Sequence, residues 1–155
     1  MNKGFTAIEL IITLALFGIL VVMGINSYNQ WQKQVAVTNA GQEIKSTLVR
    51  AQQMAVSAAQ GESWGVHFEA DKYIIFPGGL YDLSNPDNKI FQLRGVVVLD
   101  PNLSFATGAG GYQSDVIFQK LTGQTNNPGV VTIVAENNPA VTKIISVSAT
   151  GVIEQ

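Results

Sequence analysis

The sequence predicts an α+β fold, in which one long N-terminal helix packs against a C-terminal antiparallel β-sheet domain. Three observations predict it: an apolar run at positions 5–25, helical spacing of small apolar residues up to about position 60, and short strand patterns between turns at positions 61–155. A helix on one side of an antiparallel sheet defines this class. The 155 residues therefore divide into segments 1–4, 5–25, 26–60 and 61–155.

The apolar run is long enough to span a bilayer, which needs about 20 apolar residues. It reads FTAIELIITLALFGILVVMGI, and its polar residues are Thr6, Glu9 and Thr13. Its 13 Leu, Ile, Val and Phe residues favour insertion by roughly 4 to 8 kcal/mol, whereas one charge at the helix centre costs about 3 kcal/mol. We therefore expect residues 5–25 to form a transmembrane helix segment. A secretory signal peptide with a weak cleavage site at residues 22–24 is the alternative, which the acidic residue and the unbroken helical pattern disfavour.

The helical pattern continues outside the apolar run, because residues 26–60 contain no proline and one glycine, Gly41. Mostly small apolar residues recur there at helical spacing: Val37, Ala40, Ile44, Thr47 or Leu48, Ala51, Ala55 and Ala58. Small side chains on one stripe allow a sheet to approach closely. A helix over residues 5–60 would be roughly 84 Å long, with Gly61 as its C-cap. Two helices with a break near residues 24–29 are the alternative.

Strand and turn signals begin at Trp64. Residues 64–68 and 72–76 flank a predicted hairpin turn at 69–71, and residues 89–93 and 96–99 flank a second at 94–95. Further strands are predicted at residues 103–106, 115–119, 130–135, 143–147 and 152–154, with a turn at residues 137–139. This succession predicts antiparallel sheet.

Composition excludes several kinds of site. The net charge is −2, the nine Lys and Arg residues are scattered, cysteine is absent and His67 is the one histidine. Disulfides, thiolate metal sites and histidine-based relays are therefore excluded. The sequence shows no nucleophile paired with a base, so we expect neither an enzyme nor a cofactor. His67 alternates with Val66 and Phe68, which predicts an outward-facing strand residue.

Two loops carry residues that could bind something. Positions 82–88 are rich in side-chain oxygens, which are the atoms that calcium prefers. Their spacing matches no EF-hand, and the Asn-Pro-Asp-Asn sequence is ordinary turn chemistry, so we expect a turn without a metal. Residues 78–89 and 106–114 are the candidate contact loops for a partner or a surface.

The N-terminus resembles the processing site of the type IV pilin and type II secretion pseudopilin superfamily. Met1-Asn2-Lys3-Gly4 resembles its short basic leader, and Phe5-Thr6-Ala7-Ile8-Glu9 resembles its Phe-Thr-Leu-Ile-Glu motif, with Ala7 in place of Leu. The resemblance implies that a prepilin peptidase cuts between Gly4 and Phe5 and that the new amino group of Phe5 is methylated. It also implies the pilin fold and a single-pass inner-membrane location with an extracytoplasmic domain.

Later segments resemble the GspH/FimT-type minor pseudopilins and minor pilins. The segments that carry this resemblance are 50–56, 65–68, 116–118 with Gly123, the strand pair after Gly129, and 145–153. The stretch where major pilins commonly carry proline reads Gly24-Ile25-Asn26-Ser27, and no proline precedes Pro77. The resemblance therefore implies a minor structural subunit, whose partners are other pilin or pseudopilin subunits, the prepilin peptidase, the inner-membrane assembly platform and the lipid bilayer. A surface binding module for adhesion or DNA uptake is the alternative.

Nucleic acid is not an expected partner, because the C-terminal sequence GVIEQ contains no Arg or Lys to neutralise phosphates.

Glu9 admits two interpretations. Locally it completes a Thr6-x-x-Glu9 capping box at the start of the helix. Functionally it is an ionisable residue inside a membrane segment, where such groups usually have a role. After cleavage, the Phe5 amine of a neighbouring subunit staggered by about 6 Å would reach Glu9, and the two charges would neutralise each other on assembly.

Overall fold

The computed structural model describes residues 6–94, 97–99, 104–105, 114–136 and 138–155. Helix α1 extends without interruption over Ala7–Val56, 50 residues in all, so the chain has no break near residues 24–29. At 1.5 Å per residue this helix is about 75 Å long. Its N-cap is Thr6, as the capping-box pattern predicts.

The helix ends four residues earlier than its pattern predicts. Val56 is its last residue, Ser57 is the C-cap, and a 3₁₀ turn follows at Ala59–Gly61. Gly61 does adopt a left-handed conformation, with φ at 76°, but it ends this turn and not α1. The cause is long-range: the carbonyl of Ala55 accepts a hydrogen bond from the Leu121 amide at 3.0 Å, which no local pattern reveals.

In the part of the chain that the structure describes, nine strands follow the helix, and all of them pair antiparallel. They are β1 (Trp64–Phe68), β2 (Lys72–Pro77), β3 (Lys89–Gln92), β4 (Val97–Leu99), β5 (Ser104–Phe105), β6 (Asp115–Phe118), β7 (Gly129–Ala135), β8 (Asn138–Val147) and β9 (Ile153–Glu154). One sheet has the order β3-β2-β1-β6, and the other has the order β4-β7-β8-β9 with β5 also paired to β7. The predicted α+β class is confirmed.

The first predicted hairpin is confirmed, and the second is wrong. β1 and β2 pair directly, with Val66 opposite Ile75. β3 pairs with β2 in the first sheet, whereas β4 pairs with β7 in the second, so β3 and β4 do not form a hairpin. Tyr73 on β2 stacks on Phe91 on β3 at 5.2 Å, and this contact holds β3 in the first sheet. The predicted turn at residues 137–139 lies partly outside the described residues, and β8 already begins at Asn138.

The core lies between α1 and both sheets. From Val37 onward the predicted stripe of α1 is buried, including both Thr47 and Leu48. The first sheet contributes alternate residues to the same core, as period-two strands must. These residues are Trp64, Val66, Phe68, Tyr73, Ile75, Val116 and Phe118, and the second sheet adds Val131, Ile133, Ile145 and Val147.

Gln52 joins the end of the helix to two turns that are distant in sequence. Its Nε2 donates hydrogen bonds to the carbonyl oxygens of Gly123 at 3.0 Å and Gly151 at 2.9 Å. Gly151 has φ at 83°, and a Cβ atom there would collide with the Gly123 carbonyl. Only glycine therefore allows this approach. We call Gln52, Gly123 and Gly151 the Gln52 clamp.

Replacing Gln52 by Met should lower the free energy of unfolding by about 2–4 kcal/mol, because two buried carbonyls lose their donor while the side-chain volume is kept. The measurement is urea denaturation of the full-length chain in detergent. Gln53→Met is the matched control, since Gln53 is exposed on the same helix, and it should change stability by less than about 0.5 kcal/mol. Equal effects of the two substitutions would contradict the clamp.

Tyr73 should make stability fall at high pH. Burial raises the pKa of Tyr73 from 10.0 to about 12, so the folded state favours the neutral phenol. The stabilisation from the neutral Tyr73 phenol is fully present below pH 10. As the pH rises towards 12, the free energy of unfolding therefore falls by about 2–3 kcal/mol. Tyr73→Phe should flatten this part of the stability curve, measured by urea titration between pH 9 and 12. An unchanged curve would show that Tyr73 ionises as easily in the folded chain as in the unfolded chain.

Candidate assembly site on the N-terminal helix

The first half of α1 contacts nothing else in the described chain. Its 13 large apolar residues between Ile8 and Ile25 are all more than half exposed, and Phe17 reaches 67%. Soluble monomers rarely expose a continuous apolar surface of more than a few hundred Å². The segment is also long and apolar enough to cross a membrane. Such a segment could lie in a bilayer or pack among other helices.

Glu9 is held at the start of this exposed helix by Thr6. Oε2 of Glu9 accepts hydrogen bonds from the Thr6 amide at 2.9 Å and the Thr6 hydroxyl at 2.8 Å, and the Glu9 amide donates back to Oγ1 at 3.4 Å. The predicted capping box is therefore present. Within the described residues, Oε1 accepts no hydrogen bond and Glu9 has no ion-pair partner. The cap occupies one carboxylate oxygen and leaves the charge without compensation.

The predicted processing residues, Gly4 and Phe5, lie outside the described residues, so cleavage and methylation there stay predictions. Of the candidate contact loop at residues 106–114, only Ser114 is described.

His67 lies on the sheet face opposite the helix, as its alternation predicts, but it is not solvent-exposed. Its Nδ1 lies 2.5 Å from Oδ1 of Asp115, and its ring stacks on Tyr81 with centroids 4.0 Å apart. Its side chain is 13% exposed. No local pattern indicates this cover, because Tyr81 and Asp115 are 14 and 48 residues away. The loop that follows β2 thus folds back over the outer face of the first sheet.

The arrangement around His67 lacks the order of a catalytic relay. Ser114 Oγ, at 3.4 Å, and Asp115 Oδ1 both approach the same ring nitrogen, Nδ1. A nucleophile and an orienting carboxylate must instead occupy opposite nitrogens. Nε2 faces Oε1 of Glu69 at 3.8 Å. This cluster therefore positions the loop and has no nucleophile and base pair.

The oxygen-rich loop at residues 82–88 uses its side chains for turns. Oδ1 of Asp82 accepts hydrogen bonds from the Ser84 hydroxyl and amide at 2.7 and 2.9 Å, which lower the pKa of Asp82. Oδ1 of Asn85 likewise accepts from the Asp87 amide. Among the residues that the structure describes, no group of three or more carboxylate or histidine side chains could hold a metal ion. Oδ1 of Asp82 and Oδ1 of Asn85, two of the oxygens that suggested calcium, thus accept hydrogen bonds within these turns.

Comparison with solved structures identifies the architecture. Two structures of the minor pseudopilin EpsH from the type II secretion system of Vibrio cholerae align with TM-scores of 0.54 and 0.55 at 14% identity. The alignments cover 76% and 78% of this chain and 94% and 93% of those chains. The chain has the pseudopilin fold. No protein-family model and no curated protein matches the sequence.

The pseudopilin fold explains why separate sequence segments carried the resemblance. Gln52, Gly123 and Gly151 come from three of those segments, and the structure brings them together in the Gln52 clamp. The small residues at the end of α1, Ala51 and Ala55, are fully buried against the sheets. The expectation of a pilin-type fold is thus confirmed.

Proposed function

We propose that this chain is a membrane-anchored structural subunit of a type II secretion pseudopilus or a type IV pilus-like filament. The observation that carries the proposal is the division of α1: a buried stripe holds the globular domain, while the apolar N-terminal half is exposed on every side. Such a half-helix can lie in the inner membrane before assembly and among sibling helices afterwards. The pseudopilin fold supports the same role. The globular domain would then be extracytoplasmic.

We also propose that the subunit is a minor, initiating or tip-associated one. Both structural neighbours are described as minor pseudopilins, and α1 lacks the proline that major pilins commonly carry. In this proposal, prepilin peptidase cleaves between Gly4 and Phe5 and methylates Phe5, and the inner-membrane platform assembles the product. The role requires no enzymatic activity, cofactor or nucleic acid.

Glu9 would drive subunit docking in this proposal. Its carboxylate is costly in lipid, and Thr6 satisfies one of its oxygens without supplying a positive charge. The free amine of Phe5 on a sibling chain would supply that charge. Since the two residues differ by about 6 Å along a helix, a stagger of that size places the amine beside Glu9.

A surface binding module is the second candidate. It is favoured by Leu80 and Leu83, which are 54% and 74% exposed on the loop over the first sheet. Loss of filament initiation on deletion of the chain would support the structural role, whereas intact filaments that lose adhesion or DNA uptake would support the binding role.

Glu9→Gln should reduce incorporation into filaments at least tenfold, because it keeps the oxygen that caps Thr6 but removes the charge that pairs with the amine. Thr6→Val is the matched control, since it weakens the cap by about 0.5–2 kcal/mol but keeps the charge. It should incorporate nearly as well as the wild-type chain. The measurement is the amount of each variant in sheared filaments from the native cell.

Two checks accompany this comparison. Each variant must reach the membrane fraction, and mass spectrometry must find a mature chain that begins at Phe5. Wild-type incorporation of Glu9→Gln would contradict the docking role of Glu9. Chains that all retain Met1 would contradict the proposed processing.

A further inference from the structure

A groove of about 850 Å³ lies between α1 and the segment that leads from β3 to β4. Its walls are mostly apolar, formed by Trp31, Val35, Ala36 and Ala40 on the helix and by Leu93 and Val97 across from it. This volume is within the usual range for small-molecule sites. Ala40 and Val97 at its base also belong to the core, and the proposed assembly through Glu9 does not require the groove.

The groove begins where the predicted membrane segment ends. Residues 5–25 span about 31 Å of helix, close to the thickness of the hydrocarbon core. Asn29 and Trp31 line the near end of the groove, about 6 and 9 Å beyond Ile25, in or next to the headgroup layer. Tyr28 and Trp31 are both more than half exposed, with ring centroids 6.0 Å apart. Exposed Tyr and Trp residues are enriched at this boundary.

The charges of the groove suit an anionic group that approaches from the membrane side. Lys33 and Arg94 both line it, and neither forms an ion pair with any described residue. Helix side chains tilt towards the N-terminus, so the Lys33 side chain is directed towards the bilayer. The acidic residue of the groove, Glu43, lies about 15 Å farther from the membrane than Lys33. On the helix side, Lys33 is therefore nearer the membrane end of the groove and Glu43 is at the far end.

We propose that this groove binds the headgroup of an anionic phospholipid from the membrane in which α1 is anchored. Lys33 and Arg94 contact the phosphate, because paired cations are the usual phosphate ligands of proteins. Trp31 packs against the glycerol and ester region, where its amphipathic ring is stable. The proposal rests on the proposed membrane anchoring, and it adds a lipid site that holds the globular domain against the bilayer before assembly.

The test uses the full-length chain in nanodiscs of phosphatidylcholine with or without phosphatidylglycerol, and native mass spectrometry of the lipids that stay bound on release. The wild-type chain should retain phosphatidylglycerol in preference to phosphatidylcholine. Lys33→Gln combined with Arg94→Gln should lower this preference about 25-fold, because each cation near an anionic surface contributes about fivefold. Lys45→Gln combined with Lys120→Gln, which removes one helix cation and one loop cation elsewhere, should keep it.

Three outcomes would overturn the lipid site. The first is equal retention of the two lipids by the wild-type chain, and the second is equal loss of preference in both double variants. The third is binding of glycerol phosphate alone as tightly as the lipid, which would make the groove a site for free phosphate compounds. A photo-crosslinker at position 31 that captures a second copy of the chain, and no lipid, would likewise assign the groove to a protein contact.

Failure of this site differs from failure of the proposed function. A chain that inserts into nanodiscs and enters filaments but shows no lipid preference contradicts only the lipid site. A chain that does not insert at all contradicts the membrane anchoring on which both proposals depend.

Discussion

One helix has to be stable in two environments, and the other features of the molecule follow from this constraint. Beyond Val37, α1 presents a stripe of small apolar residues that two sheets cover completely. Between Ile8 and Ile25 the large apolar residues of the same helix are exposed, although this segment is apolar enough to cross a membrane. The described part of the chain does not bury that surface. In the proposed role, lipid or other chains supply the free energy of burying it.

The contacts of the globular half keep it at a fixed position on the helix. The Gln52 clamp fastens both sheets to the last turns of α1, and the Leu121 amide closes the helix end. A rigid attachment at one end means that a displacement of the membrane half moves the whole domain. Glu9 near the start of α1 and the cationic mouth of the groove near its middle then lie on one stiff rod. If the two proposals hold, assembly at the first and lipid contact at the second are coupled through this helix.

The sequence predicted what local chemistry determines. The long helix, its buried stripe, the capping box at Thr6 and the β1–β2 hairpin all depend on residues a few positions apart, and all are present. The partner of β4 was not predicted correctly, because a period-two pattern indicates a strand but not the strand it pairs with. The predicted end of α1 was wrong. The amide of Leu121 donates a hydrogen bond to the carbonyl of Ala55, 66 positions away, at the end of the helix.

The residues of the candidate site also divide into those that the sequence revealed and those that only the structure revealed. Glu9 was recognisable because an acid in an apolar run is conspicuous in sequence, whereas the cover of His67 by Tyr81 and Asp115 was not. The groove also could not be predicted, since Trp31 and Arg94, which both line it, are 63 positions apart in the sequence. Positions that depend on contacts across 50 or more residues need the structure.

The most direct test of the account measures which residues of α1 are accessible to water. The chain contains no cysteine, so single cysteines at Leu16 and at Gln30 can each be probed with a membrane-impermeant maleimide in intact spheroplasts. The account predicts rapid labelling at position 30 and none at position 16 until the membrane is dissolved with detergent. Equal labelling at both positions before detergent would show that the apolar half of the helix is not in the bilayer, and the account would be contradicted.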